Sequence, residues 1–204
     1  ETMDIIKFSD RLNSLRYQHA VVQCGQKLLH LIMITLIRGD INNITECVKE
    51  AVGSSTKYKN SFTKDEQRLL EKGHHKSWDI SLLYKIIQKV CGLHPAGSHY
   101  WTQNTGGDDL EFFITTLKDI RNELVHKFDY VISENQVAHH LNELTELALK
   151  MTSALGERSQ ALGTQLYVIQ NGKQLSDIDF ETTETLKIVY KIIEDVKENI
   201  NESQ

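Results

Sequence analysis

Three residues near the middle of the chain have types and spacing suited to chemistry on a phosphodiester: Arg121, Asn122 and His126. An arginine presents a planar, permanently charged fork to phosphate oxygens. A histidine, with an unperturbed pKa of about 6.5, takes and returns protons near neutral pH. An asparagine both donates and accepts hydrogen bonds, so it can orient the imidazole or a substrate. Together they suit cleavage of RNA without a metal ion. That reaction needs the ribose 2′-hydroxyl deprotonated, the phosphate charge stabilised and the 5′-oxygen protonated. The plainer reading of the same residues is a polar interface on a helix, and Asn122 in particular suits a structural hydrogen bond.

All three lie in Asp108 to Phe128, D-D-L-E-F-F-I-T-T-L-K-D-I-R-N-E-L-V-H-K-F. Leu110, Phe113, Ile114, Leu117, Ile120, Leu124 and Phe128 recur at steps of three and four, the period of a helix with one buried face. Gly106-Gly107 precede it, and Asp108 and Asp109 are placed to cap its free N–H groups and to suit its dipole. With Leu117 at the centre of the buried face, Arg121 stands at the edge of that face. Asn122 lies further round, and His126 is almost opposite the core, about 140° from Arg121. Phe112, Thr115, Asp119, Asn122 and His126 form a second stripe, against which another helix of the bundle or a second copy of the chain should pack. Lys118 and Lys127 are candidate RNA contacts, whereas Asp119 and Glu123 oppose the approach of phosphate. Phe112, Thr115 and Val125 are the candidate dimer-interface residues.

Arg121-Asn122-x-x-x-His126 resembles the R-N-x-x-x-H signature of HEPN domains, helical bundles found in many RNA-cleaving enzymes. Upstream, W-D-I-S-L-L-Y-K-I-I-Q-K-V-C-G-L, from Trp78 to Leu93, resembles a helix of one HEPN subfamily. That subfamily includes the HEPN region of the DAZ-interacting RNA-binding ubiquitin ligase and related animal immune-type proteins. There, as here, a short loop with an aromatic and an acidic helix start come before the motif. The resemblance covers about Thr63 to Phe128. It implies an antiparallel helical bundle, a site built across a homodimer with the motif helices apposed, and Arg121 and His126 as catalytic residues. The implied products are a 2′,3′-cyclic phosphate and a 5′-hydroxyl. Because many HEPN domains serve mainly in assembly, the alternative is a non-catalytic dimerisation or scaffold module of a larger signalling or RNA-associated protein.

The rest of the chain also reads as helix. Met3 to Ile37 is one or two helices, apolar on several sides in its last third and so expected at the centre of a bundle. A short helix runs from Asn43 or Thr45 to Val52, and Ser54 to Ser61 is loop-like. Thr63-x-x-Glu66 is a capping box for a helix from Lys64 to about Lys72, stopped by Gly73. Ser77 or Asp79 opens the next helix, whose buried stripe is Leu82, Leu83, Ile86, Ile87 and Val90. Leu93 to Gly107 is a loop. Ser133-x-x-Gln136 is a second capping box, opening a helix that carries Val137, Leu141, Leu144, Ala148, Met151 and Leu155, with Gly156 and Gly163 as candidate breaks. The pattern continues through Leu162, Leu166 and Ile169. Asn171-Gly172 is a turn, and Leu186, Val189, Ile193, Val196 and Ile200 mark a last helix. The expected organisation is a HEPN-like bundle over residues 1–170 and, over 171–204, a C-terminal helix that packs on the bundle or mediates association.

Composition agrees with an all-α protein. The 204 residues include one proline and are 40% hydrophobic, enough for a real core. The net charge of −5 and pI near 6.0 lack the footprint of a tight nucleic-acid binder, so RNA contact should be local and weak, or other domains of a longer protein should supply the affinity. Three widely spaced cysteines, Cys24, Cys47 and Cys91, do not make a disulfide framework, which points to a reducing, cytoplasmic setting. The longest apolar run, Leu28 to Ile37, is too short for a membrane span. Cys91, His94 and His99 are zinc-ligand types, but no fourth ligand lies near them in the sequence. Phosphate-loop, dinucleotide and hydrolase-elbow motifs are absent. The expectation is therefore no metal and no cofactor, with a homodimer, RNA and the parent chain's protein partners as associates.

Overall fold

The computed structural model describes residues 2–107, 109–126, 131–162 and 175–202. Among them are eight α-helices and no strand: α1 (Thr2–Leu36), α2 (Ile44–Val52), α3 (Ser55–Ser61), α4 (Lys64–Lys72), α5 (Ile80–Val90), α6 (Leu110–His126), α7 (Glu134–Leu162) and α8 (Leu175–Asn201). The protein is an all-α helical bundle. No single helix among the described residues is long and apolar enough to cross a membrane.

α1 is one continuous helix, and α5, α6, α7 and α8 all pack on it. Its apolar run is the reason: Leu28, Leu29, Leu31, Ile32, Met33 and Leu36 point around the helix and all are buried. Gly25 lets α5 and α6 approach closely. A Cβ there would stand 2.6 Å from Cδ1 of Ile80 and 3.5 Å from Cδ2 of Leu117.

Contacts along the helices give their directions. Gln26 of α1 reaches the Trp78 carbonyl just before α5, while the Arg38 N–H just beyond α1 donates to the Val90 carbonyl at the end of α5, so the two run parallel. Tyr84 of α5 meets Thr115 of α6, and Asp79 at the head of α5 meets Arg121 further down α6, so these two are antiparallel. Arg158 late in α7 bonds Glu111 early in α6, so α7 reverses again. Leu15, Arg16 and His19 of α1 share a cleft with Asp195, Val196 and Asn199 of α8, whereas Cys24, further along α1, meets the carbonyl of Val189, earlier in α8, so α8 is antiparallel to α1. Successive helices α5, α6 and α7 thus alternate, and α2 to α4 form the crossover that lets α1 and α5 share a direction.

The local signals act as their chemistry requires. Thr63 and Glu66 close both arms of the capping box on α4, and Gly73, with φ of 67°, ends it. Asp79 caps α5 by accepting from the Leu82 N–H at 2.8 Å. The five apolar positions of its stripe are all buried. Ser54 to Ser61 departs from the loop expected of its polar sequence. Ser54 caps α3 by accepting from the Lys57 N–H, and Tyr58 anchors the turn in the core beside Phe62. α7 continues through Gly156 without a break. α8 packs on α1 and α7 through Val189, Ile193, Val196 and Ile200. Gly163, Leu166, Ile169, the Asn171-Gly172 turn and the boundary at 170/171 lie outside the described residues.

Candidate functional site

α6 sits between α5 and α7, and its two flanks have different characters. On the α5 side, the Arg121 guanidinium donates to Asn122 Oδ1 at 3.1 Å and approaches Asp79 Oδ2 at 4.0 Å. Arg121 is 23% exposed, so its fork is largely held by the protein while its edge remains open to solvent. Lys118 lies over the ring of Tyr84, 4.8 Å from its centre, and pairs with Asp119 at 3.1 Å. The Thr115 and Tyr84 hydroxyls are 3.4 Å apart. His126 is the last residue of α6 and is exposed. Within one chain, then, Arg121 and Asn122 come together and His126 stands apart, about 7.5 Å further along the helix.

The candidate interface residues diverge. Thr115 is occupied by α5 of its own chain, Phe112 turns to the α7 flank, and Val125 is half-buried. Lys127 and Phe128 lie outside the described residues, as does Asp108. Asp109 stands at the head of α6, where its backbone carbonyl accepts from the Phe113 N–H at 3.0 Å. Its carboxylate reaches back to the loop, accepting from Thr105 N–H at 2.8 Å, Thr105 O–H at 2.6 Å and Gly106 N–H at 3.1 Å. These hydrogen bonds hold its pKa below the ordinary carboxylate value. The helix start is therefore fixed by tying down the loop before it.

The second cluster on α6 was not expected. Glu111 is completely buried, and its two oxygens accept from Nη1 and Nη2 of Arg158 at 3.0 Å each. Oε1 also accepts from the His94 backbone N–H at 3.1 Å and stands 2.8 Å from His94 Nδ1. Burial alone would raise the pKa of Glu111. The hydrogen bonds from Arg158 and His94, with the Arg158 charge, outweigh it and bring the value down from 4.5 to about 2. Tyr100 stacks on His94 with ring centres 3.6 Å apart, and Trp101 Nε1 donates to the His94 carbonyl at 3.0 Å. One carboxylate thus joins α6, α7 and the loop that leads into α6. All its polar capacity is spent within the protein, which makes it a structural lock. Nothing in the sequence marks this burial, because an acid in the first turn of a helix is ordinary.

The other chemical residue types are also engaged in structure. Cys91 is buried with Sγ toward the Met33 carbonyl at 3.8 Å, and burial pushes its thiol well above the ordinary range. With Cys91 directed at α1 and His94 at Glu111, the Cys91, His94 and His99 set does not converge. Among the described residues no group of three or more metal-ligating side chains is found. Burial likewise raises Cys24 to about 12. His75 and His140 are half-buried: His75 Nδ1 stands 2.8 Å from His30 Nε2, and His140 stacks on Tyr17 and bonds Glu143 at 2.9 Å. No family model, curated protein or solved structure matches this chain.

Proposed function

We propose that this chain is a metal-independent endoribonuclease domain, active as a homodimer, with Arg121 and His126 catalytic. The observation that carries this reading is the arrangement at the lower end of α6. One rigid helix presents a partly exposed arginine, oriented by Asn122, and an exposed histidine. Among the described residues of α6, a single chain supplies one histidine, and it stands apart from the arginine. Two copies with this end of α6 apposed would supply two of each.

In such a cleft one His126 takes the proton from the ribose 2′-hydroxyl as its oxygen attacks phosphorus. Arg121 stabilises the charge that grows on the phosphate oxygens. The second histidine gives a proton to the departing 5′-oxygen. The P–O5′ bond breaks, leaving a 2′,3′-cyclic phosphate and a 5′-hydroxyl. The R-N-x-x-x-H resemblance to HEPN nucleases supports the same assignment. Three free cysteines, two of them buried, suit a reducing cytoplasmic setting.

A fluorescent single-stranded RNA in EDTA tests this. Wild type should cleave it and leave cyclic phosphate ends, whereas His126→Ala, with fold and dimer retained, should lose at least about a hundredfold of the rate. The second reading is a non-catalytic dimerisation or scaffold module, favoured by the net charge of −5 and by the Asp79 carboxylate close to Arg121. No cleavage by either protein, with a stable dimer in solution, would establish that reading instead.

A further inference from the structure

α5 begins beside the middle of α1, because Gln26 reaches the Trp78 carbonyl just before α5 starts. The earlier half of α1 therefore has a face that α5 does not cover. Phe8 and Leu15 lie on it, seven residues and nearly two full turns apart, and are 71% and 62% exposed. Beside them α1 and α8 enclose a cleft of about 340 Å³, with Leu15, His19 and Gln23 on one wall and Ile192, Asp195 and Val196 on the other. Ile188, one turn before Ile192, is also exposed. Apolar side chains thus run across both helices.

The two outer edges of this face carry opposite charges. On α1, Lys7 and Arg11 are exposed, and Arg11 stands three residues after Phe8 and four before Leu15, on their side of the helix. On α8, Asp195, Glu198 and Glu202 are exposed and follow at steps of three and four, so they form one row. Among the described residues none of these five enters an ion pair. Arg16, which also lines the cleft, is engaged within its own chain. The contact of Cys24 with Val189 fixes the heights along the antiparallel pair: Glu198 is level with Leu15 and Glu202 with Arg11. Lys191 continues the α8 row by one turn, level with Val22 and Gln23, which carry no charge. Asp10 lies about 140° round α1 from Leu15, off this face.

A face that is basic along one edge and acidic along the other is complementary to itself. A two-fold axis along the cleft lays each α1 over the α8 of the other copy, at the same height. Arg11 then meets the Glu198 and Glu202 row twice, once in each direction. The four helices close as a bundle with Leu15 and Ile192 inside and Phe8 covering its end. An anionic lipid surface would meet the glutamate row, and a partner of uniform charge would match one edge alone. We propose that the α1–α8 face joins two copies of this chain in such a two-fold contact. It lies apart from the lower end of α6 and does not rest on RNA cleavage.

Charge reversal tests the pairing, by sedimentation of the whole chain at low salt. The Lys7→Glu, Arg11→Glu variant makes both edges acidic, and the Glu198→Arg, Glu202→Arg variant makes the α8 edge basic like that of α1. Each should self-associate at least about tenfold more weakly than wild type. An equal mixture of the two should regain the association, because each supplies the charge the other lost, and so should a chain with all four changes. Leu15→Glu should weaken it as well. All the altered side chains are exposed, so the fold is kept. A wild-type chain that stays monomeric at high concentration, or edge variants that associate as wild type does, would overturn the proposal. If Val125→Glu splits a dimer that the edge variants leave intact, the contact is at α6 and this proposal fails while the nuclease reading stands. Loss and recovery by charge reversal, with no RNA cleavage by wild type, would uphold this contact and sink the nuclease reading alone.

Discussion

Glu111 shows how much a single buried carboxylate can hold. Replacing it with glutamine keeps the size but removes the charge facing Arg158, whose side chain is only 15% exposed. Breaking a buried ion pair from one side costs roughly 3–5 kcal/mol. Glu111→Gln should therefore unfold at distinctly lower urea concentration at pH 7. The pH dependence has a definite sign. A carboxylate whose pKa falls from 4.5 to about 2 on folding stabilises the protein above 4.5, and that contribution fades as pH drops toward 2. The gap between wild type and Glu111→Gln should shrink over that window; a gap that stays constant down to pH 2 would refute the assignment.

Asp79 carries a second residue-level prediction. It caps α5 and also stands near Arg121. Asparagine caps a helix about as well as aspartate, so Asp79→Asn keeps α5 while removing a negative charge beside the guanidinium. Under the nuclease reading, affinity for single-stranded RNA should rise severalfold at low salt, by a filter-binding titration. An unchanged or weaker affinity would argue that Arg121 does not meet phosphate.

At the scale of the element, capping chemistry explains most of what could be read in advance. α4 begins and ends where Thr63, Glu66 and Gly73 require, because cap and stop signals act through neighbouring residues alone. Thr63→Ala removes one arm of the box and should cost about 1 kcal/mol in chemical denaturation. Glu66 also bonds Lys85 of α5 at 2.8 and 2.9 Å, a link between distant residues that no local pattern announces. α3 escaped for the same reason. Its single buried anchor, Tyr58, makes no periodicity, so only the packed core reveals why that turn is helical. The bonds from Thr105 and Gly106 to the Asp109 carboxylate, which tie the loop to the head of α6, were likewise not announced by its position.

For the molecule as a whole, the period of three and four residues made the all-α class legible, and the apolar run in α1 foretold its central place. The placing of Arg121 at the edge of a buried face and His126 in the open also followed from helical geometry. Which helix lies against which flank did not. Thr115 and Phe112 share one stripe by spacing, but α5 takes the first while the second turns to the α7 flank.

The central position of α1 has a kinetic consequence. Every long helix that covers it comes later in the chain, and the last of them makes the most extensive contact: Cys24 meets Val189, 165 residues further on. Made before the helices that cover it, α1 must wait for α5 to shield one side and for α8 to shield another. Contacts so distant in sequence slow the search for the native state and leave apolar surface open to aggregation meanwhile. Synthesis of this chain should therefore lean on chaperones that hold an exposed hydrophobic helix until α8 has been made.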